Sequence, residues 1–429
     1  MKAADLVYDW SRRGAAFDYR KARITLNDVT LRDGLHSPSA KDPPLEAKLR
    51  LLHLMPELGI GSADLGFPAT GLQMGAQVGI LAAEIARARL PLAANAVARM
   101  TVEDVDGIAE LSDEAGIPIE AGLFIAASDV RMEAEGWTLD HLLRMSEAAV
   151  GAAVRLGLPV MYVVEDASRA RPEVLRALYG LAVSHGAGRL CLTDTAGAAT
   201  PGGVKRLVNF LKDEVLAPSG VTVLLDWHGH RDRGLAIANC LAAIEAGVDR
   251  VHASALGVGE RAGNAEMDIL LANLAVLGAP HGGDLSRLPA YCHLVAEAMG
   301  LTIPFNYPVV GSDAFSAAAG IDASAVMKAM EKGGAEMADQ VYSSLPASSF
   351  GLMQHIVVSP ASGHANVRHW LQQHGYDAHD RDLVESLLAE AKRHDRVLSI
   401  NECYRVVTEA LVRRGALGAE GVPVDRAPA

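Results

Sequence analysis

Between Ile24 and Leu277 the chain repeats one pattern, a short apolar run of β character followed by a longer stretch with helical spacing. The runs read as Ile24–Val29, Ser62–Phe67, Leu92–Val97, Ile119–Ala126, Pro159–Glu165, Arg189–Thr195, Val221–His228 and Arg250–Ala255. Helical periodicity fills the gaps, from Leu45–Leu58 through to Asn264–Leu277. About eight even β-α units predict an α/β chain, a TIM (β/α)8 barrel over residues 24–280. The competitor is an open doubly wound sheet. It would carry a G-x-G-x-x-G turn after its first strand, and this chain has none there.

Barrel enzymes gather their chemistry at the C-terminal ends of the strands. Those ends carry Arg32 and Asp33 after the first strand, Glu165 after the fifth and Thr195 after the sixth. His228-Gly229-His230 closes the seventh, and Asn264 follows the eighth. Side chains alternate along a strand, so two histidines separated by one residue point the same way. With a carboxylate from another loop they can grip one divalent cation and leave positions open, as a catalytic metal requires. A His-x-His pair on a strand is often mere packing. Closure of a barrel, which makes strands one, seven and eight neighbours, is what gives this pair its chemistry.

A formal net charge of −13 argues against nucleic acid or an anionic membrane as partner. Cys191, Cys240, Cys292 and Cys403 are scattered and read as buried thiols of a reducing compartment. Met1–Arg23 has no apolar signal-like core, and no apolar stretch reaches membrane-spanning length. A cytoplasmic location is therefore expected. Residues 1–23 read as an N-terminal extension and 281–415 as helical linker subdomains, interrupted by a Pro/Asn-rich break at Ile303–Pro308. The stretch 416–429 reads as a flexible tail.

These residues also resemble a family. Asn27 to Gly34 (NDVTLRDG) is similar to the D-x-T-L-R-D-G motif of the metal-dependent DRE-TIM enzymes. These are the 2-isopropylmalate, homocitrate and citramalate synthases and the hydroxymethylglutaryl-CoA lyases. The resemblance continues through Asp64–Pro68, Glu165–Arg169, Asp194–Gly197, His228–Gly234 and the specific GERAGN block, Gly259–Asn264. Val309–Phe315 and the spacing from Tyr342 to Gly351 resemble the synthases' linker subdomain, so coverage runs from about 24 to 370. A C-terminal leucine-sensing domain, and feedback through it, is expected to be absent.

The resemblance implies condensation of an acyl-CoA, usually acetyl-CoA, with a 2-oxo acid, assisted by Mg, Mn or Zn. It implies Asp33, His228 and His230 as metal ligands, with Asn264 as a fourth. Arg32 would stabilise oxyanion charge, Glu165 would orient substrate or relay a proton, and Thr195 would contact the oxo-acid carboxylate. Asp232 would hold a histidine ligand or a neighbouring loop. Tyr342 would reach the partner barrel of a homodimer. The lyases carry a cysteine in the loop after strand eight, and Ala255–Ala265 has none, which favours a synthase.

The chain departs from the family pattern at His36, where Gln is usual, and at Arg231, where Asn is usual. Asp322 stands where the synthases place an acid–base histidine, and Ala317-Ala318 replace the His-Glu pair before it. Proton transfer is then reassigned, with His36, Asp322 or a metal-bound water as candidates, or the activity is reduced or changed. Arg231 and His36 would suit an oxo acid with an extra anionic group. A carbon–carbon lyase and a catalytically silent binding homologue are the alternatives.

Overall fold

The computed structural model describes residues 6–11, 13–15, 17–280 and 282–415. The described residues fall into two compact units, one within 11–302 and one of 303–415 together with 6–10. The expected tail, 416–429, lies outside the described residues.

The first unit is a closed barrel of eight parallel strands in chain order: β1 Thr25–Asp28, β2 Ser62–Asp64, β3 Ala93–Arg99, β4 Ile119–Ala126, β5 Val160–Glu165, β6 Arg189–Asp194, β7 Leu224–Gly229 and β8 Arg250–Ala253. Closure comes from β1 lying beside β8, with Asn27 opposite His252. The outer helices follow the sequence reading closely: the first, expected over Leu45–Leu58, spans Leu45–Glu57, and the one expected over Asn264–Leu277 spans Met267–Leu277. A short helix, Asp129–Glu135, was not expected. Strand β7 starts at Leu224 rather than Val221, because Val221 is exposed beyond the helix-ending Gly220.

Strand β5 illustrates why the alternation works. Met161, Val163 and Glu165 turn into the barrel, where they line its cavity. Tyr162 is fully buried among the outer helices, and its hydroxyl meets the Ser146 hydroxyl of helix Leu139–Arg155 at 2.7 Å. A TIM interior is ordinarily filled by branched apolar residues. Here its floor is charged. Arg189 bridges Glu120 (3.0 Å) and Asp226 (2.7 Å), and Arg250 bridges the same two carboxylates (2.5 and 2.7 Å). Two cations against two anions leave the floor formally neutral.

Helix Leu288–Met299 belongs to the barrel unit, although the sequence placed 281 onward in the linker. Its Tyr291 is fully buried and donates its hydroxyl proton to Asp28 of β1, whose other oxygen accepts from the Thr30 amide at 2.8 Å. Asp28 is thereby committed to structure.

In the second unit, Ser316–Ala317 and His355–Ile356 form a short parallel pair. Helices His364–Gln373, Arg381–Ala391 and Ile400–Arg413 enclose a core that includes Val367, Leu371, Leu387 and Val407. Gly334 (φ 68°) breaks the helix Gly320–Val341.

Candidate metal centre and active site

Strand β7 delivers His228 to the rim, His230 follows one residue past its end, and the turn after β1 delivers Asp33. Their facing atoms form a near-equilateral triangle. His228 Nε2 and His230 Nε2 are 3.4 Å apart, and Asp33 Oδ2 lies 3.6 and 3.5 Å from them. The centre of such a triangle is about 2.0 Å from each corner, the bond length of a divalent cation to imidazole or carboxylate. All three side chains are buried, and Asp33 Oδ2 has no hydrogen-bond donor. A buried carboxylate oxygen without a partner is costly, and a cation at that centre removes the cost. The donor set therefore fits a divalent metal.

Asn264 is fully buried, and its Oδ1 also lacks a partner while its Nδ2 donates to the Val258 carbonyl at 3.1 Å. It faces His230 across an isolated antiparallel bridge. The GERAGN loop reaches this position through its glycines. A Cβ on Gly259 would come within 2.2 Å of Asn264 Nδ2, and Gly263, at φ 105°, would put one 2.0 Å from the Gly257 carbonyl oxygen.

Asp33 divides its carboxylate between two tasks. Oδ2 faces the histidines, while Oδ1 lies 3.3 Å from His36 Nδ1 and 3.4 Å from Arg32 Nη1. Burial alone would raise its pKa. The Arg32 charge, the His36 hydrogen bond and the two histidines outweigh that and hold it well below the ordinary carboxylate range. For His228, burial and then neighbouring His230 push the pKa well down, and burial lowers that of His230. Both shifts favour the neutral imidazole, the form that binds metal. Arg32 is itself gripped by Asp64, Nε to Oδ2, at 2.7 Å.

A cavity of about 140 Å³ opens beside the triangle, lined by Arg32, His36, Glu165 and Thr195 among others. Burial raises the pKa of Glu165, with Arg131 and Arg32 opposing. The Thr195 hydroxyl accepts from the Asp166 amide at 2.8 Å and lies 3.0 Å from the Thr193 hydroxyl, which donates to the Val164 carbonyl at 2.7 Å. Thr195 therefore has its own proton to give to Thr193 or to a ligand.

Arg231 does not line this cavity, contrary to the sequence expectation. Its Nη1 pairs with Glu266 at 2.6 Å and its Nε donates to the Ala262 carbonyl at 2.6 Å, so it fastens the loop after β8. Asp232 fastens the same loop, through Arg261 at 3.0 Å, rather than a histidine. Asp322, in the first turn of Gly320–Val341, and the exposed Tyr342, at that helix's end, belong to the second unit.

Sequence reasoning missed His252. Register sets it directly beside His228 in the neighbouring strand, and the two rings meet edge to face with centroids 5.6 Å apart. Its Nε2 lies 2.9 Å from Asp226 Oδ2, so the charged floor is continuous with the metal site. The available signal was its parity: His252 lies two residues after Arg250 on a strand whose alternate residues face inward.

Fold and site together define a barrel with a His-His-Asp cluster, able to hold a metal ion, at the C-terminal rim of its strands. The chain belongs to the HMGL-like family, whose model matches residues 23–295. A 2-isopropylmalate synthase of Solidesulfovibrio magneticus is 31% identical over 402 residues, 91% of this chain and 75% of that protein. The homocitrate synthase AksA of Methanopyrus kandleri is 30% identical over 404 residues, 91% of this chain and 94% of that one. Among solved structures, the HMG-CoA lyase of Bacillus subtilis superposes with a TM-score of 0.56 at 20% identity, covering 66% of this chain and 96% of that chain. That likeness concerns the fold.

Proposed function

We infer that this protein is an acyltransferase joining the methyl carbon of an acyl-CoA, acetyl-CoA above all, to the carbonyl carbon of a 2-oxo acid, with release of CoA. The observation that carries the reading is the triangle of Asp33, His228 and His230 with Arg32 pinned beside it. Relatives named as 2-isopropylmalate and homocitrate synthases support it. The lyase reading finds no cysteine in the loop Ala255–Ala265.

Asp33, His228, His230 and Asn264 would hold Mg, Mn or Zn, which when bound polarises the oxo-acid carbonyl as a Lewis acid. Arg32 directs its guanidinium at the charge that develops on the carbonyl oxygen, a donor fixed in advance by Asp64. Thr195 donates to the oxo-acid carboxylate. Glu165, partly desolvated, handles a proton at the reacting carbon. His36 keeps Asp33 Oδ1 occupied so that Oδ2 stays free. In the second unit, Tyr342 and Asp322 act on the barrel of a partner subunit, so the working form is a homodimer. Its place is the cytoplasm and amino-acid biosynthesis; among the described residues no helix is long and apolar enough to cross a membrane.

The test is thiol release from acetyl-CoA with each metal and a panel of 2-oxo acids. The reading expects release that requires one oxo acid and a metal and vanishes in Asp33→Ala. Release independent of oxo acid, or none with any pair, contradicts it.

A further inference from the structure

The arginine that the sequence offered for an extra anionic group is committed elsewhere, and the cavity wall shows what replaces it. Opposite the metal triangle the lining is Phe67, Val97, Phe124, Met161 and Val163. Phe67 and Phe124 meet edge to face, with ring centroids 5.5 Å apart and planes at 85°. Both are partly exposed although they stand inside the barrel rim. Gly122 makes room beneath them, since a Cβ there would lie 3.0 Å from Met161 Cε and 3.3 Å from Val97 Cγ1. Met161 in turn closes the floor. Its Sδ accepts from Arg250 Nη2 at 3.2 Å, which places the thioether between that guanidinium and the cavity.

Among the described residues, the arginines near this wall are all paired with carboxylates, and His36 lies 3.3 Å from Asp33. Arg32 is paired with Asp64 and Asp33, and Arg250 and Arg189 with Glu120 and Asp226. Arg131, which faces Glu165, pairs with Glu135, and Arg261 pairs with Asp232 and Glu260. The lining itself carries Arg32 and the histidines His36, His228, His230 and His252 beside three carboxylates, Asp33, Glu165 and Glu260. A second carboxylate on the substrate would find no unpaired cation and would face Glu165 and Glu260. Burying it there would cost far more than burying a methyl or phenyl group gains.

We propose that this wall is the side-chain subsite, with Phe67 and Phe124 as its specificity-determining residues, and that it selects a 2-oxo acid whose side chain is uncharged and apolar while rejecting dianionic oxo acids. The proposal rests on the condensing-enzyme reading for the site but is read out by binding as well as turnover. The two rings set the depth of the subsite, the methionine seals its base, and the metal end takes the shared 2-oxo carboxylate.

The experiment is calorimetric titration of the Mn²⁺-loaded protein, without acyl-CoA, using 2-oxoisovalerate and phenylpyruvate against oxaloacetate and 2-oxoglutarate. At least one of the apolar pair should bind tenfold or more tightly than both dianions. Phe124→Ala and, separately, Phe67→Ala should move the preference toward bulkier apolar side chains. Equal or tighter binding of a dianion, no binding by any of the four, or an unchanged rank order in both folded variants overturns the proposal. Thiol release is measured alongside. Selective apolar binding without any CoA release removes the condensing reading and leaves the subsite standing. Release confined to a dianion keeps that reading and overturns the subsite.

Discussion

Arg231 Nη1 lies 2.6 Å from Glu266 Oε1, a contact that turns a candidate substrate-binding residue into a loop fastener. Arg231→Asn should therefore leave the KM for any oxo acid within about twofold. It should lower stability by about 1 kcal/mol or less, as for a partly exposed pair. Steady-state kinetics and a urea melt check both, and a large rise in KM would return Arg231 to the site.

The triangle of Asp33, His228 and His230 predicts that stability depends on metal. A ligand binding only the folded form adds about 2.7 kcal/mol at a hundred times its dissociation constant. Adding Mn²⁺ to chelator-stripped protein should raise Tm, and His228→Ala or His230→Ala should abolish most of the rise. Burial lowers both histidine pKa values from the ordinary 6.5, most strongly that of His228. The acid-side loss of Mn²⁺ affinity should therefore lie at lower pH than for a pair of solvent-exposed histidines, and a loss at the same pH or higher would contradict the buried geometry.

Asp226 anchors the floor. Burial raises its pKa, but Arg250, His252 and Arg189 together bring it to about 2, against an ordinary 3.8. A depressed folded pKa contributes stability that is present above 3.8 and is lost as pH falls from there toward 2. Asp226→Asn leaves two arginines short of a counter-charge and should cost about 3–5 kcal/mol. Urea unfolding at pH 7 and at pH 3 measures both, and the variant should show a shallower acid loss than the parent.

Glu165 provides a kinetic counterpart. Its raised pKa means the carboxylate forms only above the ordinary glutamate value of 4.5, so turnover should fall on the acid side through that shifted pKa. Glu165→Gln should lower kcat about 10²–10⁴-fold, the usual scale for a proton-transfer group, and should erase the acid limb. Retention of the limb in the variant assigns it to another group.

Much of this was legible from local pattern. Strand alternation put His228 and His230 on one face, and even spacing put Asp33 near them, because both follow from short-range geometry. Contacts between residues distant in sequence were not legible. Arg231 and Glu266, Tyr291 and Asp28, and His252 and Asp226 pair across loops and strands whose approach only closure of the barrel determines. The charged floor was hidden for a further reason. Glu120, Arg189 and Arg250 sit at strand starts, where a charge reads as a solvated end, and only their mutual neutralisation lets them face inward.

The most direct measurement is mass and NMR analysis of the product formed from [2-¹³C]acetyl-CoA, Mg²⁺ or Mn²⁺ and the preferred 2-oxo acid. A new carbon–carbon bond predicts a hydroxy diacid carrying ¹³C in a methylene beside the former carbonyl carbon, equimolar with free CoA and absent in Asp33→Ala. Labelled acetate without that methylene, or an unchanged thioester under conditions where metal and oxo acid both bind, would contradict the condensing-enzyme account.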